Sequence, residues 1–130
     1  MTLIDGMFSD LVTRALAKSL DAAGLRHRVI ADNLANVETP GFMRSEVGFE
    51  DQLARALDSN GEESASAEIE RLQPQIRADS SSPARPDGNN VSVDKEIAGM
   101  AKNTLQYEAL VQLMNLRTSM LRTAITEGRR

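Results

Sequence analysis

The fold is decided by a long, regularly patterned stretch at residues 93–125, VDKEIAGMAKNTLQYEALVQLMNLRTSMLRTAI. Its apolar and threonine side chains recur at alternating steps of four and three residues, at Val93, Ile97, Met100, Thr104, Tyr107, Val111, Met114, Thr118, Leu121 and Ile125. A heptad seam of this length predicts one long helix that packs against a partner helix. We predict that the helix runs from Asp94 to Glu127, with Ser92 as its N-cap. At about 1.5 Å per residue it would be roughly 50 Å long.

A second apolar row lies beside the seam on the same predicted helix. It comprises Ala101, Leu105, Ala109, Leu110, Leu113, Leu116, Met120 and Ala124. One partner helix can cover the seam but not both rows, so the pattern predicts several neighbours. Leaving five such side chains in water forgoes on the order of 7 kcal/mol, which is comparable with the whole stability of a small domain. The doubled rows therefore favour a subunit of an assembly over a chain that acts alone.

A second long helix is predicted at the other end of the chain, from Met7 to Asn36. Its helical stripe consists of Phe8, Val12, Leu16, Leu20, Ala23, Ile30, Leu34 and Val37. The simplest closure is an antiparallel hairpin of the two terminal helices. We therefore predict an all-α fold in which residues 1–37 and 91–130 form a coiled-coil domain and residues 38–90 loop out from it.

The first part of the middle region carries three local signals. Thr39-Pro40-Gly41 is typical of a tight turn, because proline presets the second position and glycine tolerates positive φ at the third. The alternation of Val47 and Phe49 with polar residues indicates a brief strand or extended arm. The spacing then becomes helical, which predicts a short helix over Glu50–Leu57.

The rest of the middle region is polar, and we expect it to be largely irregular. Asp58–Ala67 is rich in Ser, Gly, Asn and Glu, which is typical of a flexible linker. Ala78–Asn90 reads as a loop, and its Asp87-Gly88-Asn89-Asn90 segment is better explained by a plain turn than by a calcium loop, since the alternating ligand spacing of an EF-hand is missing.

Composition excludes several function classes. The 130 residues carry a net charge of −4, which argues against nucleic-acid binding, and there is no cysteine for a disulfide or thiolate metal site. The lone histidine, His27, has too few partners for a metal site, and no phosphate-binding glycine motif or nucleophile elbow accompanies it. No stretch approaches the about 18 apolar residues of a membrane span, and residues 1–12 do not read as a secretory signal peptide. We expect no enzyme activity, no catalytic or metal-binding residues and no cofactor.

Residues 33–42, NLANVETPGF, resemble the Asn-Leu-Ala-Asn-x-x-Thr-Pro-Gly-Tyr signature of bacterial flagellar axial proteins. The matching signature residues are Asn33, Leu34, Ala35, Asn36, Thr39, Pro40, Gly41 and the variant Phe42. Further similarity narrows the family to the flagellar basal-body rod proteins, and within it to the small proximal subunits. It is carried by 47–50 (VGFE), 87–91 (DGNNV), 94–96 (DKE), 103–107 (NTLQY) and 121–125 (LRTAI).

The resemblance implies a structural subunit of the proximal rod, exported through the flagellar type III apparatus without a cleaved signal and assembled in the periplasm. The terminal helices of neighbouring subunits would form the inner coiled-coil tube that transmits torque and walls the export channel. On this reading the assembly seam comprises Phe8, Leu16, Ile30, Leu34, Ile97, Met100, Tyr107, Val111, Met114, Leu121 and Ile125. Asn33 and Asn36 would tie the helix end to neighbouring backbone.

The implied partners are copies of this chain, other flagellar rod proteins, the MS-ring/rod junction protein and the export gate. Two alternatives remain open from the sequence. The chain could be another proximal rod subunit of the same family. It could also be a soluble coiled-coil adaptor or secretion chaperone, since a heptad seam serves a closed dimer or trimer equally well.

Overall fold

The structure is a computed structural model that describes residues 10–128. Its elements, in chain order, are α1 (Asp10–Ala35), β1 (Ser45–Gly48), α2 (Glu50–Leu57), α3 (Glu62–Arg71), β2 (Gln75–Ala78) and α4 (Val93–Glu127). The predicted all-α class is confirmed, because helices carry the fold and each strand has only four residues. The predicted helix start at Met7, and Phe8 with it, lies outside the described residues.

The two long helices form the predicted antiparallel hairpin. Three hydrogen bonds made by side chains join the two helices along their length: Asn33 to Glu96, Asn103 to Ala23 and Arg117 to Thr13. As the residue number rises along α4 it falls along α1, which defines the antiparallel direction. Helix α4 has 35 residues and is therefore about 52 Å long.

Three local features of the chain follow from the sequence around them: the turn after α1, helix α2 and the cap of α4. The Phe42 N–H donates to Thr39 O at 3.2 Å, and Gly41 has φ 72°, so the predicted turn is present with glycine at its left-handed position. Helix α2, which follows β1, has the predicted bounds. Ser92 caps α4 as predicted, since its side chain accepts a hydrogen bond from the Lys95 N–H.

The prediction that Asp58–Ala67 is a flexible linker was wrong from Glu62 onward, where helix α3 begins. The polar composition hides two apolar side chains four residues apart, Ala65 and Ile69, which lie on one helical face and are buried. Lys18 Nζ of α1 donates to Leu72 O at 2.8 Å and holds the end of α3 against the hairpin.

Strand β2 was also missing from the predicted middle. It pairs with β1 in an antiparallel register that places Val47 opposite Ile76. The rest of the segment, from the end of β2 to Asn90, is loop as predicted, with a turn at Gly88, whose φ is 84°.

Candidate functional site

A buried polar cluster joins the end of α1, the start of β1 and the first turn of α4. We use this name for Asn33, Arg44, Asp79, Asn90 and Glu96, all of which are buried. At its centre the Arg44 guanidinium donates from Nε to Glu96 Oε1 at 2.6 Å and from Nη1 to Asp79 Oδ2 at 2.5 Å. The backbone N–H of Arg44 donates to Asn90 Oδ1 at 2.6 Å.

Hydrogen bonds favour the charged forms of Arg44 and Asp79 in this cluster. Burial is the largest single influence on Arg44 and works to lower its pKa, yet the hydrogen bonds to Glu96 and Asp79 outweigh it, and the pKa is raised. The pKa of Asp79 is strongly lowered, chiefly because Ser81 and Ser82 donate hydrogen bonds to its carboxylate, with Arg44 adding to the effect. The folded chain therefore favours the charged forms of the Arg44–Asp79 pair.

Asn33 of the family-like signature belongs to this cluster and links three elements. Its Oδ1 accepts from the Ser45 N–H at 2.9 Å, and its Nδ2 donates to Ser45 O at 2.8 Å. The same Nδ2 lies 3.2 Å from Glu96 Oε2. One amide side chain thus occupies the outer hydrogen-bonding edge of β1 and reaches the first turn of α4.

The turn that follows α1 is held by Asn89, which is fully buried. Its Nδ2 donates to three carbonyls, those of Asn36 at 2.9 Å, Val37 at 3.1 Å and Thr39 at 2.8 Å. Its Oδ1 accepts from the Val91 N–H at 2.8 Å. Asn89 therefore ties the turn at residues 36–39 to the segment that leads into α4.

The other signature residues have more local roles. Asn36 Nδ2 donates to Asp32 O within its own helix at 2.8 Å, and Thr39 Oγ1 donates to Asn36 Oδ1 at 3.2 Å. Leu34 and Phe42 are half-buried. Ala35, Pro40 and Gly41 are exposed. The structure therefore brings Asn33 into the buried polar cluster and leaves most of the turn on the surface.

Sequence reasoning did not find Arg44, Asp79, Asn89 or Glu96. The paired asparagines at 89–90 were a usable signal, because a plain turn requires only one of them. Glu96 had a weaker signal in its place on the helix. It lies at the same heptad position as Asn103 and Arg117, and these three are the buried residues of α4.

These three polar residues form the line along which α4 contacts α1. Asn103 Nδ2 donates to Ala23 O at 2.9 Å, and Arg117 Nε donates to Thr13 Oγ1 at 2.6 Å. Asn103 Oδ1 is buried and has no hydrogen-bond partner among the described residues. The intrachain contact is therefore centred on a polar line, which leaves much of both predicted apolar rows uncovered.

The two rows flank that line, and each presents an exposed face. The seam face, as we call it, holds the exposed seam residues Val93, Ile97, Thr104, Tyr107, Thr118, Leu121 and Ile125. The leucine face holds Leu105, Leu113 and Leu116, which are 68%, 51% and 54% exposed. Met100, Val111 and Met114 of the predicted seam are half-buried, as are Leu16 and Leu34 on α1, and Ile30 is buried.

Two further properties concern the described part of the chain. Within residues 10–128, no three His, Asp or Glu side chains are grouped so that they could hold a metal ion. None of the helices described there combines the length and the apolar character that crossing a membrane requires. The charged side chains of the buried polar cluster pair with one another and hold parts of the fold together.

Comparison with known proteins decides the family. No family model matches the chain. A protein of Bacillus subtilis (strain 168) named flagellar basal body rod protein FlgB is 30% identical over an alignment of 134 positions, which spans 99% of this chain and 100% of that relative. This chain belongs to the FlgB family. FlgB proteins of Borrelia hermsii and Aeromonas hydrophila are 34% and 29% identical over 72% and 82% of the chain, covering 80% and 86% of those relatives.

Membership of the FlgB family confirms the predicted resemblance to flagellar basal-body rod proteins. It also confirms the predicted location in the basal body and the structural, motility-related character of the chain.

Proposed function

We propose that this chain is a structural subunit of the proximal rod, and that it assembles helically through α1 and α4. In this role it would form part of the torque-transmitting shaft and of the wall of the export channel. The single observation that carries the proposal is the exposure of large apolar side chains on both sides of α4, with Leu105 and Ile125 each 68% exposed.

The exposed faces support assembly on energetic grounds. Contiguous apolar surface of this kind is characteristic of protein–protein interfaces. At about 25 cal/mol per Å², covering even a few of these side chains contributes several kcal/mol to association. The internal contacts of the chain are polar along the line between the faces, so the exposed apolar surface remains available to neighbours.

The buried polar cluster serves the same role indirectly. It ties the end of α1, the start of β1 and the start of α4 into one unit, so that the hairpin offers its two faces in a fixed relative orientation. A shaft that transmits torque requires such fixed geometry, since a loosely hinged hairpin would absorb the rotation by bending.

Export through the flagellar type III apparatus is part of this proposal and rests on the family resemblance. The same holds for the proposed partners, which are copies of this chain, other rod proteins, the MS-ring/rod junction protein and the export gate. The asparagine signature at 33–42 supports membership of that set of axial proteins.

The test compares two substitutions, each introduced into a bacterium by replacing its own gene for this chain with the variant gene. Leu105→Glu places a charge on the leucine face, whereas Gln73→Glu adds the same charge at an exposed position between α3 and β2. We expect Leu105→Glu to abolish swimming and to be missing from isolated basal bodies, while Gln73→Glu behaves as wild type. Both purified variants should retain the helix content of wild type by circular dichroism.

Swimming and normal incorporation of Leu105→Glu would contradict assembly through α4. A second result would also contradict it: purified wild-type chain that forms one closed dimer or trimer, whose mass does not grow with concentration in sedimentation. That behaviour is expected of an adaptor or chaperone.

A further inference from the structure

The link between α2 and α3 carries an asparagine followed by a glycine. Residues 58–61 form this link, and both Asn60 and Gly61 are exposed. The chain has seven asparagines, and Asn60 is the one whose next residue is glycine. The pair matters chemically, because the backbone nitrogen after an asparagine can attack its side-chain amide, and glycine has no side chain to obstruct the close approach.

The reacting groups of this pair are not held by hydrogen bonds. Within residues 10–128, neither the Asn60 side chain nor the Gly61 N–H has a hydrogen-bond partner. The Gly61 carbonyl accepts from the Ala65 N–H at 3.0 Å, so the link is anchored on the far side of the reacting atoms. Gly61 has φ 99°, a backbone conformation that glycine adopts readily and other residues rarely do.

Water has access to the link. An open cavity of about 360 Å³ lies beside it, with Leu57, Ser59 and Gly61 in its lining. Water is needed twice in the reaction of an asparagine with the following backbone nitrogen, first to remove the proton from that nitrogen and later to open the ring that forms. The exposed link satisfies both needs.

Asp87-Gly88 is a second pair that could close the same ring, but the fold holds it. The Gly88 N–H donates to Arg85 O at 2.8 Å, and Asp87 Oδ1 accepts from the Asn89 N–H at 3.0 Å. Both reacting groups are therefore engaged, in contrast to Asn60 and Gly61.

The other asparagines are also restrained. Four of them are buried, namely Asn33, Asn89, Asn90 and Asn103. The Asn36 side chain donates to Asp32 O at 2.8 Å. Asn115 lies inside α4, where the helical backbone fixes the following amide nitrogen in the hydrogen-bond ladder.

We propose that Asn60 is a site of spontaneous chemical modification, at which its side-chain amide becomes a carboxylate through a cyclic imide. The Gly61 nitrogen loses its proton to water or hydroxide and forms a bond to Asn60 Cγ, while the Cγ–Nδ2 bond breaks and ammonia leaves with a proton from water. Water then adds to one of the two ring carbonyls and opens the ring. The products are aspartate and isoaspartate, and water is the sole co-reactant.

The two products change the link differently. Each places a new negative charge just before α3, whose first turn already contains Glu62 and Glu63. Isoaspartate also routes the backbone through the side-chain carbons, which lengthens the link by one carbon atom. Ala56 of α2 and Ala65 of α3 are buried on either side of the link. We therefore expect the isoaspartyl form to hold α3 less tightly than the aspartyl form.

The test incubates the purified full chain in warm neutral buffer and maps its peptides over time. Trypsin releases residues 56–71 as one peptide, in which Asn60 is the single asparagine. This peptide should gain the mass of an amide-to-acid change and become a substrate of isoaspartyl methyltransferase. Conversion at each other asparagine should be slower by about tenfold or more, because every 1.4 kcal/mol needed to free a held group lowers the rate about tenfold.

Two variants and a peptide make the outcomes decisive. Asn60→Gln should stay unmodified, because its longer side chain closes the larger ring far more slowly. An Asn60 that stays intact in the full chain while a synthetic peptide of residues 56–71 converts would overturn the proposal, since the fold would then protect the pair. Conversion at Asn60 no faster than at buried Asn89 would overturn it too.

Hydrogen exchange tests the structural consequence. Amides of α3 should lose protection in the isoaspartyl form and keep it in Asn60→Asp, which adds the charge without lengthening the backbone. Equal protection in the two forms would overturn the proposed loosening of α3. None of these measurements depends on self-association, so their failure and the failure of the proposed assembly role are distinguishable.

Discussion

Glu96 in the first turn of α4 accepts a hydrogen bond from Arg44 at 2.6 Å, and only 1% of Glu96 is exposed. The pair connects residues 52 positions apart in the chain, so it fixes the start of α4 relative to the segment before β1. Removing one partner of a buried ion pair leaves the other charge without compensation, which costs more than the pair itself contributes.

We predict that Glu96→Ala lowers the free energy of unfolding by about 1.5–3 kcal/mol, because the buried Arg44 guanidinium loses one of its two carboxylate partners and keeps only Asp79. Urea denaturation followed by circular dichroism measures the change. The matched control is Glu108→Ala, which removes an exposed glutamate from the same helix and should alter stability by no more than about 0.5 kcal/mol. Equal losses in the two variants would contradict a structural role for the pair.

Asn89→Ala should destabilise the chain by about 1–3 kcal/mol, because a buried amide that donates to three carbonyls of the turn after α1 is lost and the buried Val91 N–H is left without its acceptor. Hydrogen exchange locates the effect: protection should fall first for amides of the turn at residues 36–42. Asn115→Ala, at an exposed position of α4, serves as the control. If protection in that turn were unchanged in Asn89→Ala, the proposed role of Asn89 would be wrong.

Acid should unfold the chain partly through Asp79. Its pKa is lowered in the folded state, so the unfolded chain binds a proton more readily than the folded chain does. The stabilisation is therefore complete above the ordinary aspartate pKa of about 3.9 and is lost as the pH falls below it. We predict that Asp79→Asn flattens the acid limb of a plot of unfolding free energy against pH, while Asp21→Asn, at an exposed site, leaves the limb unchanged.

The fold was predictable where local chemistry decides it. The Ser92 cap, the Pro40-Gly41 turn and helix α2 depend on neighbours within a few residues, and each matches the sequence-based prediction. Helix α3 and strand β2 depend on distant partners instead. Ile69 is fully buried in the structure, but the sequence around it does not mark a helix face that packs on a core. Ile76 becomes a strand residue through its pairing with Val47.

The residues of the buried polar cluster also divide into those that local sequence predicts and those that depend on distant partners. The asparagine signature indicated that Asn33 makes backbone contacts, but nothing local marks Arg44 as the partner of Glu96. The heptad period likewise predicted that α4 has a partner, yet a period does not specify which line of the helix faces it. The line that faces α1 passes through Asn103 and Arg117, whose side chains donate hydrogen bonds to Ala23 O and Thr13 Oγ1 of α1 and so offset part of the cost of burying them.

A final prediction concerns Gly24, which lies within α1. Gly24→Ala should raise the free energy of unfolding by about 0.5–1 kcal/mol, because glycine within a helix costs that much relative to alanine and the added Cβ meets no atom of another part of the chain within 4 Å. Thermal unfolding of the purified chain measures the change.

Gly41→Ala is the matched comparison, because its φ of 72° disfavours a Cβ. That variant should lose about 1 kcal/mol or more of stability. A Gly24→Ala chain that is less stable than wild type, or a Gly41→Ala chain that is as stable as wild type, would contradict the prediction. The opposed signs at the two glycines therefore distinguish a helix position that tolerates a side chain from a turn position kept as glycine by its backbone.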